Sequence, residues 1–289
     1  MILVIGGRSK IGSVLIGELA GRGERVRALA RPTETAGPLV AGVEAVIGDL
    51  GDSGSLSDAM AGVSKVFLLC GPSPDEVRFN RNAIEAAAGA DVELLVRSSI
   101  LGADTSSPAA FVSDHGVSDQ YLRDAGVPFA IVRPNMFMQN IPENTIPSLD
   151  DSGTFYTNTG DARISMVDTR DVAAVAAVLL TEPGHTGDEL DVTGPEALSY
   201  DDVAGKLAVS LERDVTHVAV PDDAVREALS SYGMGEWMVD GLVSLFADYR
   251  RSGIGGYAAQ VTDAVGRLTG REPRTLDALL AETQPAAAR

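Results

Sequence analysis

The chain has 289 residues, of which 45% are hydrophobic and 22% charged, a balance that is ordinary for a folded protein with a large core. Its 23 Lys and Arg face 41 Asp and Glu, and the formal net charge of −18 argues against nucleic-acid binding, since phosphate contacts need clustered cations. A single cysteine excludes an internal disulfide, and no apolar run reaches the ~20 residues of a membrane helix. Because the chain also opens with a core strand, we expect a cytoplasmic protein without a membrane partner.

The first predicted element is an apolar strand at residues 2–5, which runs into a turn containing glycine and then into an amphipathic helix. This arrangement is typical of a dinucleotide pyrophosphate site, where backbone amides and a helix N-terminus favour negative charge. Ser9 replaces the middle glycine of the usual pattern, so an ordinary strand, turn and helix without a ligand is the alternative. The residues predicted to bind the pyrophosphate are Gly6, Gly7, Arg8, Ser9, Lys10, Ile11 and Gly12.

The end of the second predicted strand, residues 25–29, indicates which dinucleotide binds. A site specific for NAD places an acidic side chain there, which accepts a hydrogen bond from the ribose 2′-hydroxyl. Arg31 stands near that position, and Arg8 lies in the glycine turn. Because a guanidinium matches a phosphate in charge and geometry, the pattern predicts NADPH rather than NADH. The alternative is that both arginines are solvated surface charges.

Apolar strands and helical segments then alternate as far as residue 132. Strands are predicted at residues 44–47, 65–69, 93–96 and 129–132, and helices between them at residues 55–60, 75–88 and 113–125. Such alternation is typical of a parallel sheet with helices on both faces. The sequence therefore predicts an α/β protein with a Rossmann-type, doubly wound parallel sheet.

The regular alternation stops at Arg133-Pro134, where a stretch rich in Asn, Pro, Gly and Thr begins. A strand, a helix and a strand are predicted at residues 164–167, 169–180 and 188–192. The later segments are mostly helical, at residues 200–211, 222–232, 236–250, 259–269 and 275–282, with one short strand at 216–220. We expect residues 1–139 plus 160–193 to form the dinucleotide-binding domain, and residues 140–159 plus 194–289 to form a smaller, mostly helical C-terminal substrate lobe.

The helix predicted at residues 113–125 carries two residues suited to proton transfer. His115 and Asp119 are four residues apart on one helix face, so the carboxylate could orient or charge the imidazole while His115 donates a proton or binds a substrate oxygen. The alternative is a histidine at a helix start beside an ordinary surface carboxylate. Because His115, His185 and His217 share no metal-ligand spacing with one another or with Cys70, no metal is expected.

Several segments, taken in order, resemble the NmrA-like branch of the atypical short-chain dehydrogenases/reductases over nearly the whole chain. They are residues 6–12, 26–31, 48–50, 97–99, 132–140, 167–173 and 193–199. The resemblance implies a Rossmann domain with adenine near Asp49 and Leu50. It places the nicotinamide near Cys70, Gly71, Pro72 and Ser98, and it directs a loop from Asn135 to Asn140 toward both nicotinamide and substrate. A turn residue is the alternative for Asp49, and for Cys70 a small core residue is favoured over a reactive thiol.

Ordinary short-chain reductases use a Tyr-x-x-x-Lys pair, in which lysine lowers the pKa of a tyrosine that protonates the substrate oxygen. The helix here carries His115-Gly116-Val117-Ser118-Asp119 instead. Without that acid, an acceptor that spreads its developing negative charge over a conjugated system is favoured over a simple ketone. The predicted apolar lining suits a flat aromatic acceptor, although such residues at helical spacing are more often core: Met136, Phe137 and Met138, with Trp237, Met238, Phe246 and Tyr249.

We therefore expect an NADPH-dependent oxidoreductase, monomeric or homodimeric, that transfers hydride to a quinone or another aromatic or conjugated carbonyl compound. Tailoring of a polycyclic aromatic metabolite, by reduction or coupling, is a specific form of this hypothesis. Arg8, Lys10 and Arg31 would hold the phosphates, and His115 would assist the developing oxyanion. The alternative is a regulatory protein that senses NADP(H) without catalysis, for which the replaced Tyr/Lys pair and Ser9 both argue.

Overall fold

The computed structural model describes residues 1–31 and 42–283, and within them the chain forms a parallel sheet of seven strands. These are β1 (Ile2–Ile5), β2 (Val26–Ala30), β3 (Glu44–Ile47), β4 (Lys65–Leu68), β5 (Leu94–Ser98), β6 (Phe129–Pro134) and β8 (Glu189–Val192). Their order in the sheet is β3-β2-β1-β4-β5-β6-β8, and each pairing is parallel. The predicted doubly wound sheet is confirmed. The strand order reverses between β1 and β4, where open α/β sheets leave a crevice for ligands.

Helices cover both faces of the sheet. On one face lie α1 (Lys10–Gly21) and α5 (Thr169–Thr181), whose aliphatic side chains share one apolar core with the sheet. On the other lie α2 (Ser53–Ala59), α3 (Glu76–Gly89) and α4 (Ala110–Asp124), which share a second core. Burying one Leu or Ile side chain stabilises the folded state by about 1.5–3 kcal/mol. These two cores therefore hold the strand ends in fixed positions.

The later elements form a lobe, and several of them pack around a third apolar core. They are a π-helical turn (Ile141–Thr145), β7 (Thr154–Thr157), α6 (Tyr200–Leu211), β9 (Thr216–Ala219), α7 (Asp222–Ser231), α8 (Glu236–Ser252), α9 (Ala264–Thr269) and α10 (Leu276–Thr283). Strands β7 and β9 pair in parallel, apart from the main sheet. Ala264 and Val265 of α9 pack with the core of α1 and α5. Although α9 lies after residue 194, where the substrate lobe was expected to resume, it packs against the dinucleotide-binding domain.

Two predicted elements differ from the structure. Residues 164–167 make isolated bridges, Ile164 with Leu198 and Phe137 with Val167, instead of a strand. Their apolar character reflects burial, since Ile164 and Val167 are both fully buried, and burial does not require a strand ladder. The helix predicted at residues 259–269 begins only at Ala264, after a 3-10 turn at Tyr257–Ala259.

The most apolar helix, α5, is a core helix. Its residues 171–180 are all buried, and it has 13 residues where a membrane helix needs ~20. Across the described ranges, 1–31 and 42–283, none of the helices combines the length and the apolar character that crossing a bilayer demands.

Candidate active site

The glycine turn between β1 and α1 has the geometry of a phosphate-binding turn. Gly6 adopts φ +85°, and a Cβ there would lie 2.6 Å from the carbonyl oxygen of Leu69. At Gly12 a Cβ would lie 2.2 Å from the Gly6 carbonyl oxygen, so close backbone approach requires both glycines. Ser9, which breaks the usual pattern, caps α1 because its Oγ accepts a hydrogen bond from the Gly12 amide at 2.9 Å. The first turn of α1 contains no acidic residue to repel an anion.

A cavity of about 550 Å³, the β2-side cavity, extends from this turn past the end of β2. Ten of the predicted cofactor residues line it: Gly6, Gly7, Arg8, Ser9, Arg31, Asp49, Leu50, Cys70, Gly71 and Pro72. Two guanidinium groups, those of Arg8 and Arg31, therefore border one cavity. Asp49 also closes a turn, since its Oδ1 accepts a hydrogen bond from the Gly51 amide at 2.6 Å.

A second cavity of about 540 Å³, the β5-side cavity, lies over the ends of β4, β5 and β6. Further predicted residues line it: Lys10, Ile11, Cys70, Gly71, Pro72, Ser98, His115, Asn135, Met136, Phe137 and Trp237. Both cavities are bordered by Arg8, Ser9 and residues 69–73. The two cavities therefore adjoin, and together they form a cleft across the carboxyl edge of the sheet.

One wall of the β5-side cavity is aromatic and comes from α4 and α8. The rings of Phe111 and Trp237 pack with centroids 5.2 Å apart at an angle of 58°, and Leu245 and Tyr249 also line the cavity. Phe111 was not predicted, although it lies four residues before His115 and helical spacing puts both on one face. A flat apolar ligand would find its contacts at this wall.

Three of the residues predicted to form the apolar lining, Met138, Met238 and Phe246, do not line the cavity. Met138 is fully buried in the core of the lobe, where its Cε lies close to Gly194. Phe246 packs between the rings of Tyr200 and Tyr249 in the same core. The prediction was wrong for Phe246 because Leu245 and Tyr249, four residues apart, share the cavity face of α8, and the next residue along a helix points about 100° away.

Asn135 lines the β5-side cavity, but its side chain is occupied by the protein. Its Nδ2 donates to Ser165 Oγ at 2.9 Å and to the Ala258 carbonyl at 2.8 Å, while its Oδ1 accepts from the Met136 amide at 2.8 Å. These bonds tie the loop after β6 to the lobe. The residue thus fixes the position of Met136 in the cavity lining.

His115 lines the β5-side cavity, but its partner is not the predicted one. Asp119 is buried and bonds to Arg97 Nη1, and its Oδ2 accepts from Ser99 Oγ at 3.0 Å. The Nδ1 atom of His115 lies 3.0 Å from Arg97 Nη2 and 3.5 Å from Glu76 Oε1. The expected contact between Asp119 and the imidazole is therefore wrong, because the Arg97 guanidinium from β5 takes up the carboxylate.

The pKa values around His115 follow from burial and from Arg97. Burial, with Arg97 as the second cause, holds the pKa of His115 well below its ordinary value. Burial raises the pKa of Glu76 although Arg97 opposes the shift. Cys70 is half-buried at the cavity edge rather than in the core, and burial together with Glu76 raises its thiol pKa to about 12. The thiol therefore stays protonated near neutral pH, as a reactive cysteine would not.

Lys10 reaches from the first residue of α1 to the loop after β6. Its Nζ forms an ion pair with Glu143 of the π-helical turn and lies 3.5 Å from Asn140 Oδ1. This is the ammonium group that the sequence assigned to a phosphate. A bound phosphate and Glu143 would therefore compete for one charge.

Two carboxylates, those of Glu76 and Asp114, lie in the lining of the β5-side cavity. Burial raises the pKa of both groups. Neither belongs to a metal centre: in the part of the chain that the structure describes, no three His, Cys, Asp or Glu side chains are grouped so that they could hold a metal ion. Glu76 was not predicted, and as the first residue of α3 it carries no sequence signal beyond that of a helix start.

Comparison with known proteins gives matches over most of the chain. The NAD(P)H-binding family matches residues 6–183, a span that begins at the glycine turn. An NAD(P)H azoreductase from Xenophilus azovorans is 36% identical over 276 residues, which cover 95% of this chain and 95% of that protein.

Comparison with solved structures also gives matches over nearly the whole chain. The crystal structure of an NADPH-dependent quinone oxidoreductase from Escherichia coli, complexed with NADPH, has a TM-score of 0.89 and 25% identity, covering 98% of this chain and 99% of that one. NmrA, a negative transcriptional regulator, has a TM-score of 0.79 and 17% identity, covering 98% and 95%. At that identity the likeness to NmrA shows the fold alone.

Proposed function

The chain belongs to the NAD(P)H-binding family, and on that premise we propose that it is an NADPH-dependent reductase of quinones or other aromatic or conjugated carbonyl compounds. The observation that carries the proposal is the junction of the two cavities, where a phosphate-binding turn continues into a pocket with an aromatic wall. Similarity to an azoreductase and to a quinone oxidoreductase, each over almost the whole chain, supports the same reaction class.

The residues present fit NADPH. Gly6 and Gly12 leave the turn open to a pyrophosphate, and the first turn of α1 offers an N-terminus without acidic side chains. Arg8 and Arg31 border the β2-side cavity and would hold the 2′-phosphate. Position 31 offers no acid to the 2′-hydroxyl of NADH, which supports the preference for NADPH.

When bound, NADPH supplies a hydride. Phe111 and Trp237 would hold a flat acceptor and keep water away from it, and His115 would donate a hydrogen bond to the oxygen on which charge develops. Reduction of a quinone leaves an anion whose charge is spread over the ring. A hydrogen bond is then sufficient, and a Tyr-x-x-x-Lys pair is not required.

The size and charge of the β5-side cavity support a neutral, ring-shaped acceptor. Its volume of about 540 Å³ lies within the usual range for small-molecule sites and accommodates fused aromatic rings. Arg8 and Lys10 also lie in the lining, and with the nucleotide phosphates held on them the carboxyl groups of Glu76 and Asp114 would disfavour anionic acceptors. We include polycyclic aromatic ketones and quinones, the substrates of a tailoring reduction, in the proposed class.

The proposal is tested by following NADPH consumption by the purified chain with benzoquinone, naphthoquinone, an anthraquinone and a neutral azo compound. We expect turnover of at least one quinone, formation of the hydroquinone, and a lower rate with NADH than with NADPH. Phe111→Leu should raise the KM for the quinone, whereas Tyr232→Leu, an exposed residue at the end of α7, should leave it unchanged.

The same experiment separates this proposal from a regulatory role. A sensor would bind NADPH, consume none with any acceptor, and capture a protein partner differently with NADP⁺ and with NADPH. Binding without turnover across the whole panel would contradict the reductase.

A further inference from the structure

Arg97 is a fully buried cation on β5, and it is held on several sides by the protein. Its Nε donates to Asn80 Oδ1 at 3.1 Å and its Nη2 donates to Glu76 Oε1 at 2.8 Å, both on α3. Its Nη1 donates to Asp119 on α4. Two carboxylates and an amide thus fix the plane of the guanidinium group, and Glu76 and Asp119 balance charge in the interior.

The same guanidinium faces the ring of His115. Nη2 lies 3.0 Å from Nδ1 of His115, and its two N–H bonds serve Glu76 and His115. A guanidinium has donors and no acceptor, so Nδ1 must accept this hydrogen bond. Glu76 Oε1, at 3.5 Å from Nδ1, is too distant for a normal hydrogen bond and already accepts from Arg97 and, at 2.6 Å, from Asn80.

We propose that Arg97 is a positioning residue that holds His115 as the neutral tautomer with its proton on Nε2, so that this N–H is the donor to the acceptor's oxygen. The tautomer follows from the contacts alone. Its catalytic use rests on the proposed reductase function.

The surroundings of the ring disfavour the imidazolium. A proton on Nδ1 would point at the Arg97 guanidinium, and burial adds to the penalty for a second cation. Two carboxyl groups of the cavity lining would favour a charged ring: Glu76 on α3, and Asp114, which precedes His115 on α4. The other titratable groups of the cavity lining are Arg8 and Lys10 at α1, Cys70 after β4, and Tyr249 on α8. Burial raises the pKa values of Cys70 and Tyr249, which keeps both neutral.

Asp119 acts on His115 only through Arg97. Its Oδ1 accepts from Arg97, while its Oδ2 accepts from Ser99 Oγ at 3.0 Å and from Arg133 Nε at 3.3 Å. The i, i+4 pair that the sequence suggested is therefore bridged by the cation between its members. This arrangement makes Asp119 an anchor for the guanidinium and leaves the imidazole neutral.

A neutral imidazole gives up its N–H proton far less readily than an imidazolium. His115 therefore keeps the Nε2 proton and stabilises the reduced oxygen by hydrogen bonding. For a quinone, NADPH would supply one hydrogen together with the electron pair as a hydride and would leave as NADP⁺, and the anionic oxygen would take the second hydrogen as a proton from water as the hydroquinone leaves. The residue acts as an oxyanion donor rather than as a proton donor.

The experiment is nitrogen-15 NMR of the histidine rings in the full-length chain, with and without NADP⁺, and with His115→Gln to assign the signals. We expect His115 to show a protonated Nε2 and an unprotonated Nδ1 from pH 8 down to about pH 6. A proton on Nδ1, or an imidazolium at pH 7, would overturn the proposal. This result does not depend on an acceptor, so a correct tautomer without quinone turnover would count against the reductase alone.

A variant tests the role of Arg97. Arg97→Lys keeps the charge but loses the fork that serves Glu76 and His115 together, so we expect a Nδ1-protonated population of His115 and a loss of kcat of about tenfold or more, with NADPH affinity retained. Arg133→Lys is the matched control, since Arg133 also bonds Asp119 but does not contact His115 in the structure. Unchanged ring signals in a folded Arg97→Lys protein would also overturn the proposal, and if that variant fails to fold the wild-type spectrum decides.

Discussion

At the residue scale, we propose that the charge of Arg31 makes the clearest contribution to specificity for NADPH over NADH. This side chain borders the β2-side cavity after β2, together with Arg8. A hydrogen bond to a charged partner contributes about 1.5–3 kcal/mol, so Arg31→Ala should weaken NADPH binding by roughly 10- to 100-fold and leave NADH binding nearly unchanged. Titration calorimetry with both nucleotides measures this. Arg25→Ala, at the opposite end of the same strand, is the control. Equal losses for the two nucleotides would contradict a 2′-phosphate site.

The pH dependence of activity reports the charge of His115. Because burial and Arg97 hold its pKa well below the ordinary value, the ring stays neutral and its donor N–H is present throughout the range from pH 6 to pH 8. We therefore expect no rise of kcat/KM for a quinone as the pH falls through this range. An imidazolium donor with an ordinary pKa of about 6.5 would give a rise approaching tenfold per pH unit above that value. Such a rise, abolished in His115→Gln, would contradict the neutral donor.

Sequence reasoning located the residue His115 but not its electrostatic state. The motif and the helical spacing placed it in the cleft, as they did Trp237 and the glycine turn. Its contact with Arg97 arises from packing between β5 and α4, across 18 residues of sequence, which no local periodicity encodes. For the same reason Glu76 was missed. Phe111 was missed although its helical spacing from His115 was visible, and Phe246 was placed in the cavity although its ring packs in the core.

At the element scale, α4 and α8 together form the aromatic wall of the β5-side cavity, where we propose that the acceptor binds. Trp237 lies near the start of α8 and packs on Phe111 of α4. Trp237→Ala should raise the KM for aromatic acceptors by roughly 5- to 30-fold, since an aromatic contact and its buried area are lost together. NADPH affinity should stay within about twofold. Steady-state kinetics with a naphthoquinone measures the effect, with Tyr232→Ala, at 78% exposure, as the control. An unchanged KM would place the acceptor elsewhere.

The contact between α1 and the π-helical turn predicts a gain in affinity. Lys10 at the start of α1 pairs with Glu143, and both side chains are exposed enough that the pair contributes only about 0–1 kcal/mol to stability. Glu143→Gln frees the ammonium group for a phosphate, so we expect NADPH to bind a few-fold more tightly, by calorimetry, with little change in thermal stability. Glu182→Gln removes the pair with Arg22 at the other end of α1 and should have no effect on binding. Weaker NADPH binding in Glu143→Gln would show that Glu143 contributes to NADPH binding and would contradict the competition for Lys10.

Most elements could be predicted because their periodicity arises from burial against one sheet. The strands and helices as far as β6 follow the predicted order, with ends that shift by a few residues. The failures lie where apolar residues are buried without regular pairing, as at residues 164–167. The short strand β7 was not predicted, because it pairs only with β9, which lies far along the chain.

At the scale of the whole molecule, a chain with a net charge of −18 keeps a small set of cations at one sheet edge. Arg8, Lys10 and Arg31 line the cleft at the carboxyl ends of the strands, where parallel sheets bind ligands. The lobe adds α8, which completes the aromatic wall with α4 over the same edge. Fold and charge together therefore favour one continuous site for a phosphorylated dinucleotide and a flat acceptor, and we propose that the lobe serves as the substrate lobe.

The most direct test of this account is a crystal structure of the chain with NADP⁺ and a naphthoquinone bound together. We predict that the 2′-phosphate contacts Arg8 and Arg31, that the quinone ring lies against Phe111 and Trp237, and that a quinone oxygen accepts a hydrogen bond from His115 Nε2. A dinucleotide that leaves the β2-side cavity empty, or a quinone that binds away from His115 and the aromatic wall, would contradict it.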